Sequence, residues 1–294
     1  WMQKTATDSE LQVNEDDTQI HIKGREFAYT IDRRTALFTE MKFAGREYLN
    51  HPMELNIWRA PTDNDMYIKA EWKKAHYDKA YTRAYTTEVV QGKHGVKIVS
   101  HASVVAETVQ KILDVTITWK IDASGKIDAD IEATKDGEFP DLPRFGVRMF
   151  LDKKLSDARY FGMGPQESYR DKHQAASHGL YRANVGDLHE DYIRPQENGS
   201  HYDCEYVELN NSRYGIVASA EKAFSFNASY YTQEELEKKT HNYELIESDS
   251  VVFCVDYALN GIGSNSCGPV VLEQYRFDDV LFRFQFTLIP YVKG

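Results

Sequence analysis

Cysteine is scarce in this 294-residue chain: Cys204, Cys254 and Cys267 are too few and too scattered for a disulfide framework or a four-ligand zinc site. A reducing, cytoplasmic setting is the resulting expectation. No covalent staple is needed at this length, because such a chain buries roughly three quarters of the surface that its unfolded form exposes. Long apolar runs are missing as well. No stretch approaches the roughly 18 uninterrupted apolar residues of a membrane helix, and the opening Trp1-Met2-Gln3-Lys4 lacks the apolar core of a secretory signal. Positive charge is in deficit, with 35 basic against 46 acidic side chains and a formal net charge of −11. That balance disfavours a polyphosphate partner, so no nucleic acid is expected among the partners, and the missing apolar runs give no reason to expect a membrane. Repeats, low-complexity tracts and Pro-rich linkers are also lacking, which favours one large domain over two. The polar stretch after Trp1 reads as the remnant of a linker over residues 1–18, with the domain over 19–294, and suggests a piece of something longer.

What is present is alternation. In Val115-Thr116-Ile117-Thr118-Trp119-Lys120-Ile121 every second side chain is large and apolar, the signature of a half-buried strand. The pattern returns in Ile127–Ile131, Phe145–Met149 and Phe282–Phe286, with Ser124-Gly125, Asp136-Gly137 and Asp278-Asp279 as turn signals. An all-β sandwich is predicted. Helical periodicity is confined to about Ile68–Ala84 and to Thr232–Lys239, where Thr232 is placed to cap and Glu235 to close a capping box. From Phe161 to Asp203 the chain is polar and rich in Gly, Pro, His and Asn, which predicts long functional or interfacial loops.

Trp58-Arg59-Ala60-Pro61-Thr62-Asp63-Asn64-Asp65 gathers an indole, a guanidinium, an amide and two carboxylates, the mix that binds sugars. The plainer reading is a turn begun by proline, in which Asp and Asn tie down their own backbone and Arg59 pairs with a nearby carboxylate. Two further polar loops each hold a Pro-Gln-Glu step, Gly162–Tyr169 with Glu167 and Arg194–His201 with Glu197 and Asn198. A glycosidase needs two carboxyl groups roughly 5–10 Å apart across the scissile bond, a demand that sequence spacing alone cannot test. Most surface carboxylates are merely solvated. His173, His178, His189 and His201 crowd the same region, but His173 and His178 fit no helical ligand pair, so no metal site is predicted. A His–Glu pair that interconverts sugar anomers stays open as an alternative, beside histidines that only satisfy loop hydrogen bonds. Gly261–Pro269 is Gly-rich and uncharged, yet lacks the Lys-Ser/Thr step of a phosphate cradle and the Gly-x-Ser-x-Gly frame of a nucleophilic serine. It reads as a wide turn, or as a close backbone approach to a sugar or another chain.

Taken together, Trp58–Asp65, Gly162–Tyr169, Pro195–Gly199 and Asp256–Pro269, with Tyr231-Thr232-Gln233 and Leu236 as a weaker fifth point, resemble the C-terminal small-chain domain of glycoside hydrolase family 2 beta-galactosidases. The likeness runs in order from about Gln19 to Ile289. The resemblance implies a large antiparallel super-sandwich similar to galactose mutarotases, and a complete enzyme that hydrolyses terminal β-galactosides such as lactose with retention. It also implies that both catalytic glutamates, and the ligands of magnesium and sodium, lie in a preceding barrel that this chain does not contain. No catalytic residue, no metal ligand and no cofactor is therefore assigned to the chain itself. Its implied partners are the barrel-containing remainder, the galactoside substrate and further copies of the complete enzyme in a homo-oligomer.

In that family a loop near Asp256–Pro269 closes the aglycone side of the pocket, and a Trp just before it stacks on the second sugar. That position falls near Val252, which leaves Phe253 or Tyr257 as substitutes and Asp256, Gly261, Gly263, Ser264 and Asn265 as candidate loop residues. Trp58, Arg59, Asp63, Asn64, Asp65, Glu167, Glu197 and Asn198 carry over as motif positions that brace loops. The alternatives from other classes are a stand-alone aldose 1-epimerase-like enzyme, or a non-catalytic carbohydrate-binding module with Trp58, Trp72 and the tyrosines as stacking platforms.

Overall fold

Alternation of side chains becomes alternation of burial: along the strand that contains Trp119 every second residue is buried, and the same holds for its neighbours in the sheet. The computed structural model describes residues 11–108 and 111–293. Five short strands open it, β1 (Gln12–Glu15), β2 (Gln19–Lys23), β3 (Phe27–Asp32), β4 (Leu37–Phe43) and β5 (Arg46–Glu47), paired in that order as one antiparallel sheet. Next come β6 (Leu49–Asn56), helix α1 (Ile68–Lys74) and the meander β7 (Tyr81–Gly92), β8 (Gly95–Val105), β9 (Leu113–Asp122) and β10 (Ile127–Lys135). The second half carries β11 (Arg144–Asp152), β12 (Asp157–Gly164), β13 (Ser177–Asn184), β14 (Ser200–Asn210), β15 (Tyr214–Ser229), helix α2 (Gln233–Lys238), β16 (Ser250–Leu259) and β17 (Leu281–Val292).

The second sheet has 12 strands and follows the path β13-β12-β14-β15-β17-β10-β9-β8-β7, while β11 lies between β6 and β16, and β16 rejoins β15. The all-β antiparallel architecture expected from the alternation is thus the one observed. Strands β11 and β16 are buried almost throughout, so both their faces are covered by other layers of the protein. Their close approach demands glycine at 146, where a Cβ would stand 2.2 Å from the Val255 carbonyl oxygen. A register shift between Phe145 and Gly146 marks the same spot. Trp119 is fully buried and donates its indole N–H to the Ala36 carbonyl at 2.8 Å, which ties the first sheet to the second.

The large sheet splits partway along β15. That strand pairs with β17 over Tyr214–Ser219 and with β16 over Ser225–Ser229, so it changes neighbours in between and leaves a gap between β16 and β17.

Three expectations are corrected in detail. The helix predicted over Ile68–Ala84 ends at Lys74 and is followed by a single turn, Tyr77–Lys79, because Tyr81 already belongs to β7. The Phe161–Asp203 region is not all loop. Strands β12 and β13 form a hairpin within it, on the sheet's edge, where β13 is mostly exposed and so shows no apolar alternation. Of the segment 1–18 expected as linker, residues 1–10 lie outside the described residues, and Gln12–Glu15 pairs with β2 as part of the first sheet. Helix α2 starts as predicted, with the Thr232 hydroxyl accepting from the Glu235 amide at 3.1 Å. The Glu235 carboxylate turns outward and accepts from the Ile246 amide at 2.9 Å.

Candidate functional site

The chain leaves β6 at Asn56 and turns through the Trp58–Asp65 motif, whose Arg59, Thr62 and Asp65 face inward. Arg59 is fully buried and forks onto Asp65, with Nε at 3.2 Å and Nη2 at 2.7 Å from the two carboxylate oxygens. Its remaining donors reach the carbonyls of Asn260 at 2.6 Å and Gly261 at 3.1 Å, and its plane lies 5.2 Å from the Trp72 ring. Asp65 in turn accepts from the amide and hydroxyl of Thr62 at 2.9 and 3.1 Å. The plainer reading of the motif holds for Asp65, which ties down the Thr62 backbone, and for Arg59, which pairs with a nearby carboxylate, but not for Asn64, whose partners are distant in sequence. Asn64 and Asp63 point the other way. Asn64 donates to the Gly263 carbonyl at 2.7 Å and accepts from the Ser266 hydroxyl at 2.7 Å, while the Asp63 amide donates to Gln196 at 3.0 Å.

A second buried ion pair lies beside it, near enough for Arg59 to act on one of its carboxylates, Glu197. Arg144, at the start of β11, forks onto Asp256 of β16 with contacts of 3.2 and 2.6 Å and reaches Glu197 at 3.3 Å. All three are at most 4% exposed. Burial pushes the Glu197 carboxyl up, against the pull of the Arg144 and Arg59 guanidiniums. Its other oxygen, and the hydroxyl of buried Tyr169, find no hydrogen-bond partner among the described residues. Glu167 is filled instead: it accepts from Lys172, from the Tyr192 hydroxyl and from the Gly199 amide at 2.8 Å. Asn198 accepts from the Glu190 amide at 3.0 Å and passes its own carbonyl to Asn227 at 2.6 Å. The four segments singled out in the sequence therefore meet in space, as a lattice of braces.

What they brace is the 260–272 loop. Asp171, which sequence reasoning missed, accepts from the amides of Ile262 at 2.9 Å and Gly263 at 2.7 Å. Gly263 adopts φ +67°, a conformation open to glycine, and offers its amide to one brace and its carbonyl to another. Asn260 accepts from the Phe277 amide at 2.8 Å and fixes the loop's root. Ser264 is exposed and Asn265 half-buried on the loop itself. Phe253, Asp256 and Tyr257 are not loop residues but part of β16. Val252 and Phe253 are fully buried, which excludes Phe253 as a stacking ring in this structure, whereas Tyr257 is half-buried. Arg144, Asp171 and Asn260 had no local pattern to betray them, since each partner is distant in sequence or a bare backbone amide.

Trp58 and Trp72 are buried, Trp58 donating to Glu237 at 3.2 Å and Trp72 to the Asp141 carbonyl at 2.9 Å, so neither serves as a stacking platform. No histidine of the 161–203 region hydrogen-bonds a glutamate among the described residues. His173, His178 and His201 instead meet the carbonyls of Tyr169, Asp203 and Met163. His201 is wedged against Phe226 and Tyr160, and burial lowers its pKa from 6.5 to about 4. A neutral, depressed histidine stabilises the fold above the unfolded value and withdraws that support as pH falls. The expected cost is about 1.4 kcal/mol at about pH 5.5, and His201→Phe is expected to flatten the slope of the urea midpoint between pH 6.5 and 4.

The small-chain model of beta-galactosidases, described as "Beta galactosidase small chain", matches residues 23–288. The beta-galactosidase of Actinobacillus pleuropneumoniae is 44% identical over 285 residues, which are 97% of this chain and 28% of that protein. That of Staphylococcus xylosus is 32% identical over 282 residues, 96% of this chain and again 28% of the relative. The chain thus spans little more than a quarter of the length of these curated relatives. Among solved structures, a galactose 1-epimerase from Lactobacillus acidophilus aligns with TM-score 0.49 and 9% identity, covering 97% of this chain and 99% of that one. A galactose mutarotase-like protein from Lactobacillus casei aligns with TM-score 0.48 and 12% identity, over 94% and 100%. With a match that begins in β2 and ends in β17, and with both relatives carrying the segment as a fraction of a longer protein, this chain belongs to the beta-galactosidase small-chain family.

Proposed function

We propose that this chain is the C-terminal segment or small subunit of a retaining beta-galactosidase acting on terminal β-galactosides such as lactose, and that it supplies a braced loop to the aglycone side of the active site. The observation that carries the reading is the direction of the motif's hydrogen bonds. Arg59, Asn64 and Asp171 spend their donors and acceptors on the backbone of Asn260, Gly261, Ile262 and Gly263, so they hold a loop in place. A loop held at this many points has lost its ordering entropy before a partner arrives, which favours presentation to another chain or to a substrate.

In this reading the catalytic carboxylates come from the barrel-containing remainder, and so do the ligands of magnesium and sodium. Among the described residues, no group of three or more His, Cys, Asp or Glu is placed to hold a metal ion. No helix of the described residues is long and apolar enough to cross a membrane. A cytoplasmic setting and a homo-oligomeric complete enzyme belong to the same proposal.

The test is galactoside hydrolysis by the chain alone, and again after mixing with a barrel-containing fragment of a relative that lacks its own small-chain segment. Activity is expected only in the mixture. Enzyme-like turnover by the pure chain would overturn the reading and make Glu167 and Glu197 the first carboxylates to replace.

A further inference from the structure

Where β15 leaves β17 for β16, a cleft of about 500 Å³ opens, a volume typical of small-molecule sites. Its walls come from β10, β17, β15 and β16, with the Tyr169-Arg170 and Tyr202-Asp203 segments at one end. It lies apart from the braced loop's own residues 260–272, none of which lines it.

The cleft is aromatic below and polar above. Tyr257, half-buried, stacks on Phe282 at 5.1 Å and meets Phe284 at 6.1 Å, and Phe284 packs on Phe286 at 4.8 Å, so three buried phenylalanines back the Tyr257 ring from the core. Around it stand polar groups without protein partners. The hydroxyls of Tyr257, Tyr202 and Ser225, and the charged groups of Asp203, Glu221 and Lys222, make no hydrogen bond or ion pair among the described residues. Arg170 commits one nitrogen to the Arg276 carbonyl at 2.7 Å and keeps the rest of its fork.

The backbone is shaped toward the same space. Asp203 adopts φ +55°, rare for a residue with a Cβ, and the β14–β15 register slips between His201 and Cys204. A bulge of this kind re-aims side chains, here those of Tyr202 and Asp203. The charge is balanced: four basic and four acidic residues line the cleft, so no net field selects an anion or a cation. Donors and acceptors in mixture around the Tyr257 ring match a neutral polyhydroxylated ring, whose hydroxyls both give and take while its C–H face packs on the phenol.

We infer that this cleft is a saccharide-binding site, separate from the braced loop and independent of the chain's role in assembly. It takes a neutral mono- or disaccharide, seated on the half-buried ring of Tyr257 and held by Arg170, Tyr202 and Asp203.

The experiment is calorimetric titration of the chain with galactose, lactose and maltose, and with inorganic phosphate as the charged control. Saturable binding of at least one sugar and none of phosphate is expected. Arg170→Ala is expected to weaken it about tenfold, the worth of one charged hydrogen bond. Ala223→Trp, at an exposed lining position, plugs the cleft without disturbing the core and is expected to abolish binding while leaving the thermal midpoint and the complementation assay unchanged. No sugar binding, sugar binding that survives the plug, or preferential uptake of phosphate overturns the inference. Because complementation is read separately, a failed cleft and a failed assembly role give different results.

Discussion

Arg144→Met is expected to lower the free energy of unfolding by about 3–5 kcal/mol, read from the urea midpoint at neutral pH with the slope unchanged. The pair it breaks, Arg144 with Asp256, is fully buried between β11 and β16, and Glu197 depends on the same guanidinium. Methionine fills much of the volume, so the loss comes from Asp256 stranded without a counter-charge and from Glu197 left to the weaker pull of Arg59. Burial already pushes the Asp256 carboxyl up, and Arg144 is what pulls it back. With Arg144 gone the raised pKa rises further. A carboxyl raised above its unfolded value contributes stability below that unfolded value and loses it as pH climbs. The gap between wild type and variant should therefore narrow on acidification toward pH 4 and widen again above it. The double variant Arg144→Met/Asp256→Leu should recover a substantial part of the loss, because an apolar pair of similar volume replaces the ion pair without stranding Asp256. A double variant as unstable as the single one would show that the pair's shape matters more than its charge.

The alternation around Trp119 and in β17 made the sheet legible, because a strand with one face on the core writes its burial into every second residue. β11 and β16 were read less completely. Both are buried on two faces, and a run such as Val251-Val252-Phe253-Cys254-Val255 has no period to read. The polar middle misled for the opposite reason, since edge strand β13 exposes nearly everything and looks like loop. At the braced loop, the local part was visible: Arg59 and Asp65 are six residues apart, and a turn between them is written in Pro61 and Thr62. The distant half was not. Nothing near Arg144 names Asp256, whose hydrogen bond spans 112 positions, and Asp171 binds amides, which carry no sequence identity. The family resemblance supplied the segments, and the geometry showed which backbone groups they hold.

Arg59→Met is expected to cost about 3–5 kcal/mol, because it strands buried Asp65 and orphans the carbonyls of Asn260 and Gly261 together. Stability alone does not separate a brace from an ordinary core ion pair, so the gentler variants decide. Arg59→Lys keeps the charge but cannot fork onto Asp65 while reaching two carbonyls, since an ammonium is a point donor and a guanidinium a plane. Asn64→Ala removes a partly exposed contact and is expected to cost no more than about 1 kcal/mol. Both should raise amide exchange at Ile262 and Gly263 well before they affect exchange in β16, and both should depress complemented hydrolysis by more than their stability loss explains. Unchanged exchange in the loop, together with full complementation by Asn64→Ala, would show that the loop needs no bracing from this side. A loop that loosens in proportion to lost activity would tie the buried chemistry of Arg59 to a surface that another part of the enzyme uses.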